Sequence, residues 1–380
     1  MHAMSTTSST HRAIDAVWRI ESARVIAGLA RMLRDLDLAE ELAQDALVAA
    51  LETWPRDGVP DNPGAWLMTT AKRRAIDRLR RLQLLDRKHE ELARELEDIQ
   101  DERRSRDEDA LDHDIDDDLL RLVFVSCHPV LSMDARVALT LRLLCGLTTD
   151  EIARAFLAAE PTVAQRIVRA KRTLAEADVA FEVPRGDALQ ERLASVLGVV
   201  YLVFNEGYAA TSGDDWVRPA LCEEALRLGR MLAALTPREP EVHGLVALME
   251  IQASRLHARV GKDGEAVLLL DQDRSRWDQL LIRRGLEALA RAEQLGGAFG
   301  PYALQAAIAA CHARARAADA TDWVRIATLY AALAQVNPSP VVELSRAVAV
   351  SMATGPASAL PLVDRLQDDP AMKHYHLLPS

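Results

Sequence analysis

At 380 residues the chain is long enough for two or three separately cored domains. Apolar residues make up 49% and aromatics only 4%, with Ala, Leu and Arg abundant, so an all-α fold is expected rather than one built on sheets. The longest apolar run, Leu193–Phe204, is too short to span a bilayer, and the first eleven residues lack the apolar core of a signal peptide. Cys127, Cys145, Cys222 and Cys311 stand far apart with no CxxC pair, which argues against a disulfide framework or a zinc site and for a reducing, cytoplasmic setting. The net charge is -11, yet Thr162–Leu174 holds four positive charges and no negative one.

In chain order, residues 1–11 read as a disordered tail and 12–88 as a first helical domain. Helical periodicity runs from about Ala13 to Leu82 and breaks at Trp54–Gly64, "WPRDGVPDNPG", where three prolines and two glycines force a loop. "DLAEELAQDALVAALETW" gathers acidic residues and Gln44 in its N-terminal half. "NPGAWLMTTAKRRAIDRLRRL" begins a stretch in which Lys72 to Lys88 supplies eight basic residues, with Trp66 close upstream. Cations beside an aromatic suit opened DNA, where bases stack and phosphates meet charge; a Trp in an amphipathic helix is more usually a core residue. Residues 89–117 read as an acidic linker, since Glu90–Asp118 holds fifteen acidic residues against four basic ones. A second helical domain is expected over 118–180, and a third over 185–380 after "FEVPRGD". In the third, helix pairs punctuated by proline predict a tetratricopeptide-like solenoid, with an irregular bundle as the alternative.

The second domain carries the most specific local pattern. Thr148 and Glu151 fit a capping box, as do Thr162 and Gln165, so two helix starts lie fourteen residues apart with "AAEP" between them, the spacing of a helix-turn-helix. Val163, Ile167, Ala170 and Leu174 share one face and would pack on Ile152 and Phe156. The opposite face presents Gln165, Val168, Arg169 and Arg172, flanked by Ala164, Arg166 and Lys171. Arg matches a guanine edge and Gln an adenine edge, Ala164 and Val168 suit a thymine methyl, and flanking cations suit phosphates. A solvated charged helix face is the other reading of those residues.

Taken together, these motifs resemble the extracytoplasmic-function sigma factors of bacterial RNA polymerase, over about residues 10–178. "DLAEELAQDALVAAL" is similar to region 2.2, "NPGAWLMTTAKRRAIDRLRR" to regions 2.3 and 2.4, and "ALTLRLLCGLTTDEIARAFLAAEPTVAQRIVRAKRTL" to region 4. The resemblance implies that Asp37, Glu40, Glu41, Gln44 and Asp45 face the β′ clamp helices of core RNA polymerase and that region 4 meets the β flap. It implies that Asn62, Trp66, Lys72, Arg73, Arg80 and Arg81, with the loop from Arg56 to Asn62, engage the −10 element. It further implies that Gln165 and Arg169 read the −35 element beside Ala164 and Val168, while Arg166, Lys171 and Arg172 hold phosphates. The family's usual "YRIARN" is "MTTAKR" in this chain.

The remaining half resembles the subgroup with a long tetratricopeptide-like C-terminal extension, on "YLVFNEGYAATSGDDWVRPALCEEALRLGRML" and "LLLDQDRSRWDQLLIRRGLEAL". That implies regulation through the extension, by an intramolecular contact or a partner protein, and no membrane partner. "LDQDRSRWD" imitates the start of an EF-hand loop but puts Arg276 where the turn glycine belongs and Ile282 at the bidentate Glu position, so a polar turn is expected. In "FNEGY", Asn205, Glu206 and Tyr208 read as a buried polar cluster or a ligand contact. No catalytic set, metal site or cofactor loop is found, so no enzyme is expected. The function to test is promoter-specific transcription initiation; the alternative is a one-component helix-turn-helix regulator with a sensing domain.

Overall fold

The structure, a computed structural model, describes residues 2–83, 108–209, 217–261 and 265–367, with side chains described over 10–80, 116–209, 217–261 and 265–366. Among the described residues the regular elements are helices, with one isolated bridge between Val260 and Ala266. Two compact units are present, Met1–Val199 and Val200–Ser380. Most of the acidic linker, residues 84–107, lies outside the described residues.

In the first unit, α1 (His2–Leu33), α2 (Leu36–Asp57) and α3 (Pro63–Gln83) pack on one another, and α4 (Glu108–Ser126) packs on α1. Helix α1 starts at His2, inside the stretch expected as a tail, because each added turn of an existing helix gains a hydrogen bond for every residue ordered. Val25, Ile26, Ala27, Leu29 and Ala30 of α1 are all buried, since neighbouring helices cover it on several sides. Asp35 caps α2 by accepting from the Leu38 amide at 3.0 Å, and Asn62 caps α3 by accepting from Ala65 at 3.0 Å. Then come α5 (Met133–Leu143), α6 (Thr149–Ala155) and α7 (Glu160–Glu176), with α7 packed on both α5 and α6.

Helix α8 (Asp187–Tyr208) contains the division between the units. Its first half is hydrogen-bonded within the first unit: Arg192 donates to the Phe124 carbonyl at 2.7 Å and Ser195 to that of Cys127 at 2.6 Å.

The second unit continues with α9 (Pro219–Leu235), α10 (Pro240–Ala253), α11 (Gln279–Gln294), α12 (Pro301–Arg314), α13 (Trp323–Val336), α14 (Pro340–Thr354) and α15 (Pro356–Gln367). Five of these open on a proline at the first or second helical position, where its missing N–H costs nothing. Helices α10 and α12 are apolar nearly all round and are buried accordingly. Ala247, Leu248 and Ile251 meet Leu289, Ala306 and Ala310 in one core, and Leu304, Ile308, Ile326, Leu333 and Ala349 form the next. Helices α11 and α12 both pack on α10, and from α12 to α15 each helix packs on the next along the chain, the neighbour-on-neighbour pattern of helical repeats. Gly207 lets α8 approach α9: a Cβ there would stand 2.7 Å from the Cys222 amide nitrogen. Among the described residues no helix is long and apolar enough to cross a membrane. All four cysteines are buried and free.

Candidate nucleic-acid and polymerase interface

Helices α6 and α7 and the turn between them build the helix-turn-helix. The Thr148 capping box forms, with the hydroxyl accepting from the Glu151 amide at 3.1 Å and the Glu151 carboxylate from that of Thr148 at 2.8 Å. The second expected box, Thr162 with Gln165, does not form. Helix α7 begins three residues earlier, with Ala159 in the cap position, Pro161 in its first turn and no side-chain cap. Proline's fixed φ starts the helix there instead. Leu157 supplies the turn with a left-handed backbone, φ 48°.

The buried face of α7 is Val163, Ile167, Ala170 and Leu174. On the opposite side Gln165, Val168, Arg169 and Arg172 are exposed, and Ala164 is half-buried between the two faces. The three cations expected to hold phosphates differ sharply in their surroundings. Arg172 faces solvent and pairs with Glu176 at 2.6 Å, Arg166 lies 3.3 Å from Asp134, and Lys171 is drawn inward.

On α2, Asp37 and Glu41 are exposed, Gln44 and Asp45 half-buried and Glu40 buried. Asp45 lies 3.4 Å from Arg74 of α3. Trp66 stacks edge-on against the buried Trp54 with ring centres 5.3 Å apart, so it joins the packing of α2 on α3 while remaining half-buried. Arg73 and Arg80 are exposed, Lys72 is half-buried, and the side chain of Arg81 lies outside the described residues. The residues assigned to the −10 element thus share α3 and its N-terminal cap, Asn62.

What sequence reasoning missed is the seam between α2 and the helix-turn-helix domain. Lys171 Nζ lies 2.7 Å from Asp37 Oδ1 and 2.5 Å from Glu40 Oε2. Glu40 Oε1 also accepts from Arg142 Nε at 2.6 Å and from Gln44 Nε2 at 2.7 Å. Burial alone would lower the Lys171 pKa, but the Glu40 and Asp37 carboxylates outweigh it and raise it above the ordinary value. Two further bridges cross between α1 and the later helices: Arg19 to Glu151 at 2.9 Å and Arg31 to Asp118 at 2.8 Å. Clefts of about 640 Å³ and about 690 Å³ border the seam, the first lined by Trp18, Gln44 and Arg142, the second by Arg34, Asp37 and Lys171. Ion pairs therefore line the contact between α2 and the helix-turn-helix, beside the packing of α1 on α4. The sequence signal was Arg142, a cation in the largely apolar second half of α5, but nothing local named its partner 102 residues away.

Residues 19–84 match Sigma-70 region 2, residues 121–174 match Sigma-70 region 4, and residues 192–293 match a family of unknown function, DUF6596. An uncharacterized protein of Rhizobium meliloti (strain 1021) is 45% identical over 344 residues, covering 90% of this chain and 80% of that protein. No solved structure matches the chain. Sigma-70 regions 2 and 4 in order on a helical scaffold, followed by a helical extension, show that the chain belongs to the sigma-70 family, as a factor like those of the extracytoplasmic-function type with a C-terminal extension.

Proposed function

We propose that this protein is a non-enzymatic, cytoplasmic sigma factor that binds core RNA polymerase and directs initiation at a specific class of promoters, under control of its C-terminal helical unit. The carrying observation is the division of α7 into a buried apolar face and an exposed face bearing Gln165, Val168, Arg169 and Arg172. Those side chains supply bidentate base recognition, a methyl contact and phosphate binding. Asp37, Glu41, Gln44 and Asp45 offer an acidic face for the β′ clamp helices, and α3 offers Arg73 and Arg80 to the −10 strand.

In this reading the free protein is latent. Lys171 and Glu40, one assigned to DNA and the other to polymerase, neutralise each other in the seam. Polymerase would compete for Glu40 and Asp37, release Lys171 to the promoter backbone and part the two sigma domains. Polar seams separate more readily than apolar ones, because water and ions replace their contacts.

The test is run-off transcription with bacterial core polymerase, the full chain and a genomic promoter library. Initiation is expected from sites sharing one −35/−10 pair, and Arg169→Glu should lower it at least about tenfold, as loss of one bidentate base contact does. Initiation unchanged by Arg169→Glu would overturn the −35 assignment. No initiation, with tight footprinting of duplex DNA by the protein alone, would favour the one-component regulator.

A further inference from the structure

Two motifs that the sigma reading does not use, "FNEGY" and "LDQDRSRWD", converge in the second unit on one cluster. Tyr208 ends α8, Arg255 and Arg259 flank the short 3-10 turn Leu256–Ala258, and Arg274 opens the turn Arg274–Arg276 ahead of Trp277. The Arg259 guanidinium lies 3.9 Å from the centre of the Tyr208 ring, and that of Arg255 lies 5.7 Å from Tyr208 and 5.8 Å from Trp277. Arg274 lies 4.9 Å from Trp277. It donates to the carbonyls of His312 at 2.5 Å and Ala315 at 2.8 Å, which fixes it in place without neutralising it.

Three guanidiniums thus share two aromatic rings, and among the described residues none of them is in an ion pair. Arg255 is only 8% exposed, and its side-chain hydrogen bonds go to neutral groups, a long contact to Gln252 at 3.4 Å and one to Tyr208. The Nε atoms of Arg255 and Arg259 and the indole Nε1 of Trp277 are buried N–H donors with no acceptor, and His312 Nδ1 beside them is also unpartnered. The same unit compensates its other buried charges: Glu250 meets Arg230 at 2.7 Å and Glu206 meets Arg218 at 2.5 Å. Cation–π contact offsets part of a guanidinium's desolvation but satisfies none of its N–H groups in the ring plane. What is lacking among the described residues is a negatively charged acceptor bonded to this cluster.

We propose that this cluster is a binding site for a small anionic ligand, whose carboxylate or phosphoryl group is held by Arg255 and Arg259, with Arg274 adding positive field and Tyr208 and Trp277 flanking it. Planar guanidiniums match both groups through paired N–H donors. The neutral state of His312 fits such a site: burial, with Arg255 and Arg274 nearby, pushes its pKa down to about 4, so the imidazole adds a hydrogen-bonding atom without another charge. All these residues belong to the second unit, so the site stands or falls independently of promoter recognition.

The experiment is thermal unfolding of the full-length protein titrated with inorganic phosphate or with benzoate, against chloride at matched ionic strength. A saturable rise in Tm is expected with one of the two, phosphate identifying a phosphoryl ligand and benzoate a carboxylate. Arg259→Gln should weaken the midpoint at least tenfold, whereas Arg291→Gln on α11 should leave it unchanged. Hydrogen exchange on the wild-type protein supplies a readout that needs no variant: the effective anion should slow exchange over 255–259 and 274–277. No saturable response to either anion, an unaltered midpoint in Arg259→Gln, or protection confined to other segments would overturn the assignment.

Discussion

The seam of the first unit and the arginine cluster of the second solve opposite problems with buried charge. At the seam each cation has its anion: Lys171 and Arg142 both meet Glu40, and Arg31 meets Asp118. In the cluster three guanidiniums sit among aromatic rings with no carboxylate paired to them among the described residues. A compensated set holds itself closed and is undone by a competitor. An uncompensated one is incomplete until something arrives. On the two proposals made above, latency and sensing fall to separate units, paired charges serving the one and unpaired charges the other.

Removing the shared anion is the strongest way to break that contrast. Glu40→Leu takes from Arg142 its carboxylate and leaves Lys171 with the exposed Asp37 alone, which weakens the seam by up to about 3–5 kcal/mol, the cost of breaking a buried pair. Fluorescence energy transfer between labels on α2 and α7 should report the two sigma domains moving apart, and an unchanged distance would show that the ion pairs do not hold the seam.

A pH scan separates the two regions next. The pKa of His312 falls from the ordinary 6.5 to about 4 on burial beside Arg255 and Arg274, with Trp323 edge-on to the ring. The unfolded chain therefore binds a proton between pH 6.5 and 4 that the folded one does not, so stability is lost as pH falls through that window and levels off below it. The loss is about 3 kcal/mol from this residue, at 1.36 kcal/mol for each pH unit. Denaturant midpoints measured from pH 7 to pH 4 should show the slope, and His312→Phe should flatten it. Lys171 has its pKa raised, so its contribution is present below the ordinary lysine range and fades only as pH rises through the raised value; the seam gains no slope from it in this window.

The smallest effect on stability is the most telling. Arg255→Met keeps the length of the side chain and removes an uncompensated charge, so unfolding should shift by no more than about 1 kcal/mol, toward greater stability. The same substitution should abolish the response to phosphate or benzoate. A loss of several kcal/mol instead would mean that Arg255 is already satisfied in the free protein.

Much of this molecule is legible from local chemistry. The capping box at Thr148, the apolar face of α7 and the exposed positions of Gln165, Arg169 and Arg172 follow from spacing alone, because a helix sets its own faces every 3.6 residues. The helical class follows from composition and period in the same way. The Thr162 box failed as a reading because two local signals competed, and a proline one residue upstream had already started the helix.

Other features were settled only by the fold. Glu40 reads in sequence like its exposed neighbours Asp37 and Glu41, yet it is buried, because Arg142 and Lys171 come to it from more than one hundred residues away. Tyr208, Arg255, Arg274 and His312 belong to four different segments, and each alone passes for a core aromatic, a helix-end cation or a turn residue. Composition, period and caps determined by themselves that this chain is helical, where its helix-turn-helix lies and which face of α7 is free. Which charges cancel and which are left over was decided by tertiary packing, since a charge's partner is fixed by distance in space, and distance along the chain does not encode it.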